Sequence, residues 1–287
     1  MKRIHIEDIE HSVNLYTKKK SSNILEGGFR SLYHGKSMDF DDLRDYSYGD
    51  DVGDIDWKAS SRANTTLVRK NTAEKRHFLL IICDSGLKMT AETPKRNIKS
   101  ELSAYTLGVI AKSAKVSDID VALLYAKGNS IELTPFQAGE EHIENILSTY
   151  QDYANETTDI NISALLKHSL ENIQKRMMVV VISDLVSLDD IDEKLVLEHE
   201  EKNDLFFVCI NDAKLTEGNT YDLESNHYFH DKYLSNKYLK EIESAAINNK
   251  KNSLLEKIHS INSKVIYIDD EESLYSQLDY LFTQDEV

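Results

Sequence analysis

Two aspartates stand where chemistry is often placed. Asp84 follows the apolar run Phe78–Cys83 (FLLIIC), and Asp184 follows Met177–Ile182 (MMVVVI) after one serine. Continuous apolar runs of this length mark strands buried on both faces. In open α/β sheets, sites lie at the carboxyl ends of such strands. Two carboxylates at neighbouring strand ends suit a hard cation or an acid/base pair. The same two residues would serve equally as N-caps of the helices that follow, aspartate being a preferred cap. On pattern alone both readings stand.

Other chemistries lack their residues. There is no G-x-x-x-x-G-K-[ST] or G-x-G-x-x-G for nucleotides and no G-x-S-x-G elbow for a hydrolase. No C-x-x-C pair or His/Cys cluster suggests zinc. Cys83 and Cys209 both sit inside apolar runs and read as small buried hydrophobes in a reducing compartment. Tyr48-Gly49-Asp50-Asp51 spells a polymerase string, but its flanks are charged rather than apolar strands, and that reading is set aside.

The elements that would position Asp84 and Asp184 are legible from His77 onward. Apolar runs at Phe78–Cys83, Val121–Ala126, Met177–Ile182, Leu205–Ile210 and Val265–Ile268 predict strands. Helical patterns separate them, at Lys95–Lys115, Glu140–Tyr153, Ile160–Gln174, Ile191–Lys202 and Leu234–Ile261, with a last helix over Glu272–Phe282. This alternation at βαβ spacing predicts α/β class with a mainly parallel sheet. Ser130–Thr134 adds an antiparallel edge strand after a turn. Ile4–Tyr16 reads as a short helix, and residues 24–74 as irregular structure with short strands such as Thr66–Lys70. The expected division is an N-terminal segment, 1–75, and an α/β domain, 76–287.

Charge follows the same division. Residues 1–75 carry 13 Lys+Arg against 13 Asp+Glu, whereas residues 76–287 carry 21 against 37 and hold the whole net charge of −16. That surface repels phosphate backbones, which argues against nucleic acid and anionic membrane and favours basic partners or cations. The N-terminus has no apolar core of a signal peptide, and no stretch approaches the roughly 20 apolar residues of a membrane span, so a cytoplasmic location is expected.

Residues 40–70 carry a dense constellation. Leu43, Arg44, Tyr46, Gly49, Asp50, Asp51, Ile55, Asp56, Trp57, Lys58 and Arg62 fall on F-x-x-L-R-x-Y-x-x-G-D-D-x-R-x-I-D-W-K-x-x-A-R. This resembles the signature of the bacterial DUF58 family, and the likeness extends over about residues 24–285. Physically, Arg44 and Lys58 can pair with the surrounding aspartates, Gly49 frees a turn, and Tyr46 and Trp57 supply rings to anchor the segment on the α/β core. A partner-docking surface is the other reading of the same residues.

The resemblance implies a three-layer, Rossmann-like von Willebrand factor A fold, and partnership with a MoxR-type AAA+ ATPase and its client in assembly or maturation. It also implies a metal-ion-dependent adhesion site, D-x-S-x-S with a later threonine and aspartate around Mg²⁺. Here those positions fall on Asp84, Gly86, Lys88, Thr158 and Asp184. Two hydroxyls are missing, and a lysine occupies one of their places. An ammonium repels Mg²⁺ and can itself pair with Asp84 and Asp184. The expectation is therefore a degenerate metal site, no cofactor and a non-enzymatic interaction module. The rival is a metal-dependent hydrolase, or Mg-dependent adhesion, at Asp84 and Asp184.

Overall fold

The computed structural model describes residues 3–20, 43–47, 52, 55, 57–63, 65–69, 77–116, 119–217, 221–222, 227–228, 236–259 and 263–282. Its centre is a six-stranded sheet in the order β10-β7-β6-β3-β4-β5. These strands are β3 (Phe78–Cys83), β4 (Asp120–Lys127), β5 (Ser130–Leu133), β6 (Met178–Asp184), β7 (Asp204–Ile210) and β10 (Lys264–Ile268). All neighbours are parallel except β5, which turns back antiparallel on β4 with Lys127 opposite Ser130. Gly128, at φ 53°, makes that turn.

The apolar runs dictate this arrangement. Leu79–Cys83 and Met178–Ile182 are buried throughout, because helices cover both faces of a parallel sheet. One face packs under α3 (Lys99–Val116), α4 (Glu140–Tyr153) and α9 (Glu271–Phe282). The other packs under α5 (Ile162–Asn172), α6 (Leu185–Asp189), α7 (Glu193–Glu200) and α8 (Lys237–His259). The expected three-layer, Rossmann-like α/β fold with a mainly parallel sheet is thus what forms. Cys83 and Cys209 are free and buried, and burial pushes both thiols well above their ordinary pKa.

Several boundaries differ for local reasons. The helix expected from Lys95 begins at Lys99, since residues 91–98 form a loop in which Arg96 adopts φ 66°. The stretch read as Ile191–Lys202 is α7, preceded by the unexpected one-turn helix α6, which Asp184 starts by capping. The first helix, α1, spans Ile6–Lys20. It lies on the α/β body: Ile6 and Ile9 are buried, and Ile9 fills the notch left by Gly108 on α3. Arg3 donates to Ser148 and pairs with Asp152, and His5 meets Glu144, tying its start to α4.

The signature segment forms a hairpin of β1 (Leu43–Asp45) and β2 (Leu67–Arg69) with the short helix α2 (Trp57–Ala63). The expectation that Tyr46 and Trp57 anchor it to the core is corrected. Trp57 is 67% exposed at the start of α2, and Tyr46 is also exposed. The hairpin is closed instead by buried Val68, bridged to Ile55, and by the Ser60 hydroxyl, which binds both the N–H and C=O of Leu67. Arg62 is exposed. Arg44 and Lys58 are described only as backbone of β1 and α2, and Gly49, Asp50, Asp51 and Asp56 lie outside the described residues. Two further short strands, β8 (Tyr221–Asp222) and β9 (His227–Tyr228), pair antiparallel.

Candidate functional site at the carboxyl edge of the sheet

The parallel ladder brings the two aspartates together. The Asp84 N–H donates to Ile182 C=O at 3.0 Å, extending the β3–β6 pairing one step past β3. Asp84 therefore sits beside Ser183 and Asp184, and the Ser183 hydroxyl donates to Asp84 Oδ2. The Ser85 N–H donates to Asp84 Oδ1 at 2.8 Å, and Tyr150 donates to the Asp84 carbonyl at 2.9 Å. Asp84 is almost fully buried, and burial raises its pKa despite the nearby cation Lys88.

Lys88 rides on the one-turn 3₁₀ helix Leu87–Thr90. Its Nζ lies 2.8 Å from Asp84 Oδ2 and donates to Ser187 Oγ at 2.6 Å. Gly86 starts that turn at φ 101°, and a Cβ there would meet Thr158 Cγ2 at 3.3 Å. Thr158 is thus beside Gly86, with its Oγ1 accepting from the Ile160 N–H at 3.0 Å. All five residues singled out from the sequence lie at this edge. Asp184 also fulfils the capping reading, since its Oδ1 accepts from the Ser187 N–H at 2.9 Å.

A second lysine, which the sequence reading passed over, completes the cluster. Lys99, first residue of α3, is 2% exposed in its side chain. Its Nζ lies 3.0 Å from Asp184 Oδ2 and also binds Asp212, just beyond β7. An ammonium at a helix N-terminus meets an unfavourable dipole, and burial disfavours its charge as well. The two carboxylates outweigh burial and hold the Lys99 pKa above its ordinary value. Burial alone would raise Asp184, yet Lys99 keeps its carboxyl below the usual value. Asp212 is raised, chiefly by burial. No clear signal for Lys99 exists in the sequence: its helical neighbours Leu102, Ser103, Thr106 and Ile110 are all buried, but Ser103 and Thr106 interrupt any apolar stripe.

A divalent cation at this edge would need oxygens of Asp84 and Asp184. Each carboxylate is already held by an ammonium, and among the described residues no group of three or more His, Cys, Asp or Glu could hold a metal. The donor set does not fit such an ion. Its chemistry is that of a buried ion network with one half-exposed cation: Lys88 is 38% exposed in its side chain.

Residues 42–217 match the family described as "Protein of unknown function DUF58". The chain belongs to the DUF58 family. No curated protein matches its sequence. Among solved structures it is similar to a conserved hypothetical protein, BatB, from Bacteroides thetaiotaomicron, at 11% identity over 71% of this chain and 96% of that one, with a TM-score of 0.46. A von Willebrand factor type A protein from Catenulispora acidiphila is similar at 8% identity over 72% and 42%, with a TM-score of 0.40. The SpRpn10 VWA domain is similar at 8% identity over 71% and 94%, with a TM-score of 0.41. Among the described residues no helix is long and apolar enough to cross a membrane.

Proposed function

We propose that this DUF58 protein is a non-enzymatic protein-interaction module. It acts as adaptor of a MoxR-type AAA+ ATPase in assembly or maturation of a client, and docks through a degenerate metal-ion-dependent adhesion site. The family resemblance supports the partner. One observation carries the site: Lys88 Nζ stands against Asp84 Oδ2 and Ser187 Oγ, where a divalent cation would take its oxygens. A tethered ammonium supplies positive charge without needing a threshold of free Mg²⁺, so docking here is independent of divalent ions. The hydrolase reading needs a reachable nucleophile, whereas Ser183, the hydroxyl bonded to Asp84, is fully buried.

Affinity capture from the native organism with ATP present is expected to recover an AAA+ ATPase, and Lys88→Glu to lose it while the circular dichroism spectrum is kept. Recovery of no AAA+ protein overturns the partner. Calorimetric titration with Mn²⁺ is expected to show no binding tighter than about 1 mM. Tighter binding that disappears in Asp84→Ala overturns the degenerate site, and phosphatase or esterase turnover dependent on Asp84 overturns the non-enzymatic reading.

A further inference from the structure

A cleft of about 790 Å³ opens beside this cluster, on the β6–β7–β10 side of the same edge. One wall is a single face of α8, where Glu243, Ala246, Ile247 and Lys250 recur at helical spacing. Leu185 and Val186 of α6 form another, and Val186 is 47% exposed at the surface. The segment 211–213 after β7 and Asp269 at the end of β10 also line the cleft. The walls are therefore largely apolar, and carboxylates stand where the strands end.

The charges of the lining are unequally occupied. Lys250 turns to Asp189, at 3.8 Å, and Lys251 sits 4.4 Å from the centre of the Tyr267 ring, both partners being outside the lining. Lys214 has an interaction of its own. Glu92 pairs with Arg96, and the Glu243 carboxylate accepts from Leu215 and Thr216. Two carboxylates remain. Asp212 is 41% exposed in its side chain and is held on its inner side by Lys99. Asp269 accepts from the Asn211 amide at 2.7 Å and is in no ion pair among the described residues. Among the described residues Asp84 pairs with Lys88, while Asp184 and Asp212 share Lys99.

We propose that this cleft receives a basic side chain, lysine or arginine, from an extended segment of a partner protein. The aliphatic stem lies against Leu185, Val186, Ala246 and Ile247, and the cation meets the Asp212 and Asp269 carboxylates. A long basic side chain suits such a site, because its stem is apolar and only its head is charged. The net −16 of the α/β part draws a basic segment toward this edge from a distance. The inference rests on the reading of the edge as a docking surface and names the chemistry of what docks.

The test titrates the full chain with acetyl-Ala-Leu-Lys-Leu-Ala-amide, and with the same peptide carrying Met or Glu at its centre, followed by backbone amide NMR. The Lys peptide is expected to bind at least about tenfold more tightly than the Met peptide, the scale of one charge-assisted hydrogen bond. The perturbed amides are expected at 185–186, 211–213 and 246–247. Asp269→Asn is expected to weaken binding about tenfold, and added salt to weaken it further. Val186→Lys, at an exposed position that leaves the core intact, is expected to weaken it as well. Equal or tighter binding of the Met or Glu peptide, perturbation confined elsewhere, or no binding of the Lys peptide overturns the proposal. Wild-type capture of the ATPase together with failed peptide binding sinks the cleft and leaves the docking module standing. Peptide binding without ATPase capture keeps the cleft and overturns the ATPase as its partner.

Discussion

The signature segment and the carboxyl edge of the sheet are built on opposite principles. The signature is dense in sequence, and its two described rings are open in space: Trp57 and Tyr46 are exposed, and its hairpin closes on Val68 and Ser60. The edge is sparse in sequence and, apart from Lys88 and Asp212 at its rim, closed in space. Its charged residues are scattered from Asp84 to Asp212, yet nearly every polar atom there has a partner within the cluster. A crowded motif therefore need not be a packed one. Exposed aromatic side chains fit contact with another molecule, whereas buried opposed charges fit a scaffold that holds one geometry.

The widest separation between the two regions is expected at Lys99. Lys99→Met leaves Asp184 and Asp212 without their buried cation and should cost about 3–5 kcal/mol of stability in urea unfolding. A loss below about 1 kcal/mol would place the edge with ordinary surface pairs and collapse the contrast.

The pH dependence of two edge variants should then run in opposite directions. Asp184 has a lowered folded pKa, so its stabilisation is present above the ordinary carboxylate value and is lost as pH falls through the folded value. Asp184→Asn is accordingly expected to cost more near neutral pH than in acid. Asp84 has a raised folded pKa, so stability declines as pH rises from its ordinary value of 3.8 through the folded one. Asp84→Asn should cost less near neutral pH than in acid. Parallel slopes in denaturation across pH would mean that Lys88 and Lys99 act alike.

Lys88→Ser tests the middle ground. Solvent screens its half-exposed ammonium, so a cost of about 1 kcal/mol is expected, well short of that at Lys99. Smallest of all should be Trp57→Ala. At a largely exposed position the change in stability is expected to stay within about 0.5 kcal/mol, read from thermal unfolding. A larger loss would mean that the ring is part of a packed core after all.

The sheet was legible because its parallel strands are built on continuous apolar runs, the pattern of strands covered on both faces. The positions of Asp84 and Asp184 followed from where those runs stop. Gly86, Lys88 and Thr158 were found only through the family resemblance, since nothing in their spacing marks them. Lys99 and Asp212 escaped because a lysine inside a helical pattern reads as solvated surface, and an aspartate after a strand reads as loop. Only the three-dimensional closeness of β6, β7 and the start of α3 makes them a pair. The short helix α2 was hidden by the Asp- and Ser-rich sequence around it, and the exposure of Trp57 could not be anticipated from its hydrophobicity.

Helix α3 has one further consequence. It is covered from one side by α1, through Ile9 at the Gly108 notch, and from another by α9, through the Tyr105–Tyr275 hydroxyl contact at 2.6 Å. The first and the last described helices thus finish the same layer. During synthesis Ile9 waits for partners roughly a hundred residues away, and that layer stays open until about residue 282 has left the ribosome. Folding of this face is a late, non-local event, and a slow one on the scale set by contact order.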